Sequence, residues 1–126
     1  MLAGKYKLNN LVGILDRNNI QIDGFTENVM PLNDLKAKYE AFGWKVLEID
    51  GHNFEQIISA CMEAKAIFEG PTLILAHTIP GKGVDFIESD YHWHAYDPNS
   101  RDAHRDYMHA LHELRSLRGQ IRGEHE

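Results

Sequence analysis

The sequence has a single cysteine and no long apolar run. Cys61 has no partner for a disulfide within the 126 residues, which fits a reducing compartment. Its neighbours in IISACMEA are typical of a small buried side chain and not of a nucleophile. No stretch reaches the roughly 18 apolar residues of a membrane span, and MLAGKYKLNN lacks the apolar core of a signal peptide. We therefore expect a cytoplasmic protein that does not enter a membrane.

Positive charge is also scarce. Lysine and arginine number 13 against 19 aspartates and glutamates, giving a formal net charge of -6. This balance argues against a general nucleic-acid surface or an anionic-membrane surface. Hydrophobic residues make up 43% of the chain and charged residues 25%, as in ordinary globular proteins. The length predicts that residues 1–126 form a single domain.

Three short apolar runs predict strands. LVGIL (residues 11–15) is continuous, which suits a strand covered on both faces. WKVLEID (44–50) alternates imperfectly and predicts a strand buried mostly on both sides. TLILAHT (72–78), which follows Pro71, is again nearly continuous and predicts a third buried strand.

Two helices are predicted between these strands. Pro31 stands at a favourable first helical position, and the apolar residues 32, 35, 39 and 42 share a face before Gly43. Asn53 caps the second helix, with Gln56 as its capping-box partner, and that helix ends at Gly70. Alternating strands and helices with short connections predict an α/β fold: a parallel sheet of about three strands flanked by helices.

The character of the chain changes after residue 78. Residues 79–102, IPGKGVDFIESDYHWHAYDPNSRD, have no sustained period and are dense in Gly, Asp, His and aromatic residues. A connection of this length is functional or disordered, and its aromatic content argues against disorder. We therefore interpret 79–102 as an active-site-type loop. A helix is predicted over residues 103–121, and its histidines are interpreted as a solvated face.

Ligands of open parallel sheets bind beyond the carboxyl ends of the strands. This rule places the turn after the first strand (16–24) beside the loop after the third (79–97), so both are expected to line one crevice. The turn contains LDRNNIQIDG, with Asn18 and Asn19 adjacent. Two interpretations of the asparagines are open: they stabilise a local turn, or they form a site for a cation or a phosphate.

Two motifs in the loop also have open alternatives. Gly81-Lys82-Gly83 suits a phosphate-binding turn, or a flexible turn with a solvated lysine. His92-Trp93-His94 could bind zinc, could contact a phosphate or transfer protons, or could be a packed Trp flanked by exposed imidazoles.

Four stretches of the sequence, taken together, resemble the transketolases. They are LNNLVGILDRNNIQIDG, KYEAFGWKVLEIDGHN, GPTLILAHTIPGKGVDFIE and YHWHA, in family order over about residues 8–95. The resemblance is to the rear, C-terminal half of the thiamine diphosphate-binding domain, and is greatest to split transketolases, whose domains are separate polypeptides. It implies a partial thiamine diphosphate-binding fold.

The resemblance implies a set of site residues. The Asn18 side-chain oxygen and the Ile20 carbonyl would bind Mg²⁺ or Ca²⁺, and Ile22 would pack against thiamine diphosphate. His94 would contact the diphosphate and the substrate and act as the catalytic residue. The remaining candidates flank the thiazolium ring: Pro80, Gly81 and Lys82, with His77 as a weaker candidate.

The implied reaction is two-carbon ketol transfer between sugar phosphates, but the sequence departs from the family in three ways. Gly-Asp-Gly, which carries a metal-binding aspartate, is absent from the 126 residues, as is the pyrimidine-binding domain with its catalytic glutamate. Ala95 follows His94 where the family prefers glycine. We therefore expect a split-transketolase subunit in an oligomer, with partner chains that carry the missing parts. The alternatives are a catalytically inactive transketolase-like interaction module and a gene fragment without a role of its own.

Overall fold

A computed structural model describes residues 1–123 of the chain. Two compact units are present: Met1–Asn19 with Met30–Thr78, and Ile20–Val29 with the residues from Ile79 on. The elements in chain order are α1 (Leu2–Lys5), β1 (Val12–Arg17), β2 (Ile20–Gln21), β3 (Gly24–Phe25), α2 (Thr26–Val29), α3 (Leu35–Ala41), β4 (Lys45–Asp50), α4 (Phe54–Ala66), β5 (Thr72–His77), a 3₁₀ turn (Tyr91–Trp93) and α5 (Ala103–Gly123).

The first unit contains a three-stranded parallel sheet in the order β1-β5-β4. Both outer strands pair with β5 over their full lengths, from Val12 and Lys45 opposite Thr72 to Arg17 and Asp50 opposite His77. Helices α3 and α4 pack on the sheet. The predicted α/β fold, a parallel sheet of about three strands flanked by helices, is confirmed.

The core of this unit forms on the two faces of β5, whose residues 72–76 are all buried. Leu73 and Leu75 pack with Val46 on one face, where partly buried side chains of α3 complete the layer. Ile74 packs against Ala60 and Ala64 of α4 on the other face. The continuous apolar run of β5 is thus explained by burial on both sides.

The outer strands are less buried than their sequences predicted. Along β1 exposed and partly buried residues alternate, and Ile14 is 67% exposed. Along β4 only Val46 is fully buried. The expectation that β1 is covered on both faces is therefore wrong, because α4 packs on β4 and β5 and leaves Ile14 exposed. β4 is packed by α3 on one side and by α4 on the other, although its polar residues are exposed.

Both predicted helices are present but shorter than predicted, and α4 ends at Ala66 instead of Gly70. Helix α3 begins at Leu35, after Asp34, whose side chain accepts a hydrogen bond from the Ala37 N–H. The placement of Pro31 at the first helical position is therefore wrong. Asn53 does cap α4, accepting from the N–H groups of residues 55 and 56. The Gln56 side chain accepts from the Asp50 N–H at 2.8 Å, so the predicted capping box with Asn53 is not formed.

An exposed apolar surface, here called the α4–β1 face, lies beside α4. Ile14 stands opposite Ile74 and so shares the α4 side of the sheet. The flank of α4 beside its buried residues carries Phe54 and Ile58, which are 80% and 60% exposed. Because a β4–α4–β5 crossover is right-handed, this flank is turned toward β1. The face thus consists of Val12, Ile14, Phe54 and Ile58.

The second unit is built from a short hairpin, the loop 79–102 and α5. β2 and β3 pair antiparallel, with Ile20 opposite Phe25. The loop is a series of hydrogen-bonded turns with one 3₁₀ turn, and α5 covers the range 103–121 and continues to Gly123. In the part of the chain that the structure describes, no helix is both long and apolar enough to cross a membrane. The single-domain assignment of residues 1–126 stays a prediction.

Candidate functional site

The carboxyl ends of β1 and β5 meet at one edge of the sheet in the first unit. The Thr78 hydroxyl donates a hydrogen bond to the Asp16 carboxylate, and the Thr78 N–H donates to the Arg17 carbonyl at 3.3 Å. His77 Nε2 lies 3.2 Å from Glu48 Oε2. The first predicted strand and the third therefore end side by side, as the candidate site requires. Whether the turn 16–24 and the loop 79–97 line one crevice stays a prediction.

The adjacent asparagines differ in conformation. Asn19 has φ +62° and is exposed, whereas Asn18 is partly buried and has no positive φ. Asparagine is one of the few residues that tolerate the left-handed region. Of the two asparagines, Asn19 therefore adopts the left-handed conformation that the turn requires.

Ile22 has a strained backbone. It is the first residue of the two-residue turn between β2 and β3, has φ +49°, and leaves 60% of its surface exposed. A turn with positive φ at this position favours glycine. A β-branched residue there is a genuine outlier and costs on the order of 1–3 kcal/mol. Neither backbone preference nor burial therefore explains an isoleucine at position 22.

The Pro80-Gly81-Lys82-Gly83 segment forms a tight turn that needs its glycines. Gly81 has φ +74°, and a Cβ on it would lie 2.4 Å from Ile87 Cγ2. The Gly83 N–H donates to Glu88 Oε1 at 2.8 Å, and Lys82 Nζ lies 3.8 Å from the same oxygen. Because Lys82 is half exposed, this ion pair is weak. The segment is thus an ordered turn, with a lysine available at its surface.

The two histidines around Trp93 have different surroundings. His92 Nδ1 lies 2.6 Å from the Asp90 carboxylate. The backbone N–H of His92, and then its ring, stabilise that carboxylate and hold the pKa of Asp90 below its usual value. The His94 ring is exposed, and it forms no hydrogen bond, ion pair or ring contact within the part of the chain that the structure describes. Within residues 1–123, no three His, Cys, Asp or Glu side chains cluster as a metal site.

An aromatic cluster around Trp93 escaped the sequence analysis. Trp93 meets Phe86 edge-on, with the ring centroids 5.3 Å apart, and stacks on Tyr96, with the centroids 4.3 Å apart. The packed Trp expected at this motif is therefore present. Phe86 in turn stacks on His109 of α5 at 4.7 Å. His104, His109 and His112 are all exposed, as the interpretation of the α5 histidines as a solvated face predicts, and His109 Nε2 also lies 3.2 Å from the Glu113 carboxylate.

Tyr96 is tied to α5 by a hydrogen bond. Its hydroxyl donates to the Asp106 carboxylate at 2.7 Å and accepts from Ser100 at 3.1 Å. The Ser100 bond lowers the pKa of Tyr96, but the bond to Asp106 and partial desolvation outweigh it, so the net shift is upward. The same bond, together with Arg105, lowers the pKa of Asp106. Tyr96 is thus held as the neutral donor to an ionised Asp106 at neutral pH.

An open cavity of about 540 Å³ lies in the first unit. It is lined by Gly43–Lys45, just before and at the start of β4, and by Ile67, Glu69 and Gly70 before β5. These residues stand at the amino ends of the strands, whereas sites of parallel sheets form at the carboxyl ends. The cavity is therefore not our candidate site.

Comparison with known proteins identifies the class to which this architecture belongs. Residues 1–108 match the family described as transketolase, thiamine diphosphate binding domain. The fold superposes on a transketolase from Campylobacter jejuni with a TM-score of 0.66 and 27% identity, covering 97% of this chain and 22% of that one. The chain therefore belongs to the thiamine diphosphate-binding domain family of transketolases, and the resemblance read from the sequence is confirmed.

Separate transketolase subunits occur among the similar proteins. The 6-deoxy-6-sulfo-D-fructose transketolase subunit SqwG of Clostridium sp. is 47% identical over 88 residues, 70% of this chain and 32% of that protein. An apulose-4-phosphate transketolase subunit of Phocaeicola vulgatus is 44% identical over 94 residues, 75% of this chain and 34% of that protein. The chain thus spans about a third of the length of these curated relatives.

We predict that Ile22→Gly stabilises the protein. Glycine adopts φ +49° without strain, and its greater flexibility in the unfolded chain offsets only part of that gain. The free energy of unfolding, measured by urea denaturation, should rise by about 1 kcal/mol. Ile22→Val is the matched control, because it keeps the β-branch and therefore the strain. A destabilised glycine variant would mean that Ile22 serves packing in the folded chain.

Proposed function

We propose that this chain is part of a thiamine diphosphate-dependent transketolase and contributes part of the cofactor and metal site. The family match carries the proposal, since it extends over residues 1–108 and includes every candidate site residue from Asn18 to His94. Thiamine diphosphate, when bound, supplies the carbanion chemistry of two-carbon ketol transfer. The protein's own residues bind the cofactor, orient it and move protons.

Asn18 and Ile20 are proposed ligands of a divalent cation, Mg²⁺ or Ca²⁺. A side-chain amide oxygen and a backbone carbonyl are the hard oxygen ligands that these ions take. Asn18 directly follows β1, at the carboxyl end of the strand where ligands of parallel sheets bind, and this position supports the assignment. Neither ligand carries a negative charge, so the two alone bind the cation weakly. A carboxylate from the rest of the assembly would complete the site.

Ile22 and the turn at Pro80–Gly83 are proposed to contact the thiamine diphosphate. The strain and exposure of Ile22 support a role in ligand contact, since strained residues concentrate at functional sites. The Pro80-Gly81-Lys82 turn packs closely on Ile87 and leaves the Lys82 side chain half exposed. We place this turn beside the thiazolium ring, with Lys82 exchanging its weak pair with Glu88 for a ligand anion.

His94 is the proposed catalytic residue. Its ring is exposed and is not engaged by the carboxylate that holds the neighbouring His92. Imidazole exchanges protons near neutral pH, so a histidine in this state can accept or donate one at a substrate hydroxyl. His94 would move protons at the donor ketose and contact the diphosphate. Thr78, Asp16 and the other bonded groups of the sheet edge would serve structure.

The substrate is proposed to be a ketose with an anionic group at its far end. The names of two relatives specify a sulfonated fructose and a phosphorylated apulose. A sugar phosphate is our first choice for this chain, in keeping with the sugar phosphates that transketolases exchange. A sulfonate presents a similar set of anionic oxygens, so both belong to one chemical class.

The rest of the transketolase assembly is proposed to cover the α4–β1 face. The edge of β1 has no partner strand among the described residues, and the exposed apolar side chains of the face lie beside it. A second helix next to α4, joined to a strand paired with β1, would bury both. Since the chain spans about a third of its relatives' length, that polypeptide is proposed to carry Gly-Asp-Gly. The pyrimidine-binding domain would be supplied as well, giving an oligomer.

The paired asparagines offer a direct test of the metal site. Mn²⁺ with thiamine diphosphate, added to the purified chain, should broaden the NMR amide signals of residues 18–22, because Mn²⁺ replaces Mg²⁺ and is paramagnetic. Asn18→Ala should abolish that broadening while leaving the fold intact. Asn19→Gly should keep it, because glycine accepts the left-handed φ. Equal broadening in wild type and Asn18→Ala would exclude Asn18 as a ligand.

His94→Ala is predicted to lower turnover far more than cofactor affinity. Loss of a positioned proton-transfer group reduces kcat by about 10²–10⁴-fold. The measurement is steady-state ketol transfer in the assembly reconstituted with the Gly-Asp-Gly polypeptide and the pyrimidine-binding domain. His92→Ala is the matched control, since His92 is exposed two residues away and bonded to Asp90. Wild-type turnover in His94→Ala would restrict that residue to a structural role.

A further inference from the structure

Helix α5 packs against both sides of the segment that carries His94. His109 lies one residue beyond the sequence match to the family, and it stacks flat on Phe86, with 3° between the ring planes. Phe86 contacts Trp93, the residue immediately before His94. One route from α5 thus reaches the amino-terminal neighbour of the proposed catalytic histidine.

A second route reaches the segment from the other direction. Tyr96, two residues after His94, stacks on Trp93 and donates a hydrogen bond to Asp106 in the first turns of α5. Its ring also meets Tyr107 edge-on at 6.0 Å. The two aromatic residues that flank His94 are therefore held by one another and, through Phe86 and Asp106, by the same helix.

The His94 ring itself is exposed, so its position depends on its backbone. The His94 N–H donates to the Tyr91 carbonyl at 3.0 Å, and the Trp93 N–H donates to the Asp90 carbonyl at 3.3 Å. These are single bonds of a 3₁₀ turn, which is short and has poor hydrogen-bond geometry. Packing of Trp93 and Tyr96 supplies the rigidity that the turn alone lacks.

We propose that α5 is a clamp that positions His94, with His109 and Tyr96 as positioning residues. The clamp acts through Phe86 and Trp93 on one side and through the Tyr96–Asp106 hydrogen bond on the other. The proposal rests on the proposed role of His94 where it concerns turnover. It also assigns a task to His109, which lies just outside the family match.

Hydrogen exchange of the intact chain tests the clamp without requiring turnover. In His109→Ala and Tyr96→Phe, the amides of residues 92–94 should exchange about tenfold faster than in wild type. His109→Phe keeps an aromatic ring for the stack on Phe86 and should restore protection. His112→Ala, an exposed position on the same helix, is the matched control and should change nothing. Unchanged exchange in both His109→Ala and Tyr96→Phe would overturn the proposal, whatever the turnover.

The reconstituted assembly supplies the second readout. His109→Ala should lower kcat about tenfold with little change in KM, and His109→Phe should recover it. If wild type catalyses ketol transfer and kcat is unchanged in His109→Ala despite faster exchange, the positioning claim is overturned. If wild type catalyses no transfer, the proposed function fails, and the exchange experiment alone decides whether α5 holds the segment. Circular dichroism must show an intact helix in each variant. Tyr96→Phe, which removes one oxygen atom, replaces any His109 variant that unfolds.

Discussion

The burial of β5 between two parallel neighbours is the constraint on which the first unit depends. Its five consecutive buried residues hold both outer strands in register and form both faces of the core. The same pairing brings the ends of β1 and β5 together, so that Thr78 meets Asp16 and the Thr78 N–H meets the Arg17 carbonyl. A shift of β5 by one residue would turn Leu73 and Leu75 to the opposite face and separate these groups.

The structural features that could be predicted from the sequence are those that depend on neighbouring residues or on a periodic pattern. The run TLILAHT and the cap at Asn53 predicted β5 and the start of α4, because continuous burial and side-chain capping depend on neighbouring residues. The exposure of Ile14 was not predictable, since an apolar run does not say whether a helix covers it in this chain. Gln56 was predicted to complete a capping box with Asn53, but its side chain bonds to Asp50, a contact that depends on how the turn after β4 folds.

The candidate site likewise has features that could be predicted from the sequence and features that could not. The turn at Pro80–Gly83 could be predicted from its glycines, because glycine is the residue that readily adopts a left-handed φ. The positive φ of Ile22 could not, since no propensity favours isoleucine there. The contacts of Phe86 with His109 and of Tyr96 with Asp106 join residues 23 and 10 positions apart across an aperiodic loop. Only the folded chain shows that the two asparagines differ in conformation.

The α4–β1 face has a consequence for the aggregation of the protein. A free parallel edge beside exposed Ile14 and Ile58 is a template on which any extended segment can pair. A copy whose face is uncovered presents it to every other such copy. Aggregation is then governed by the concentration of uncovered copies, and the stability of the β5 core does not protect against it. Covering the face would therefore lower the tendency of this protein to aggregate.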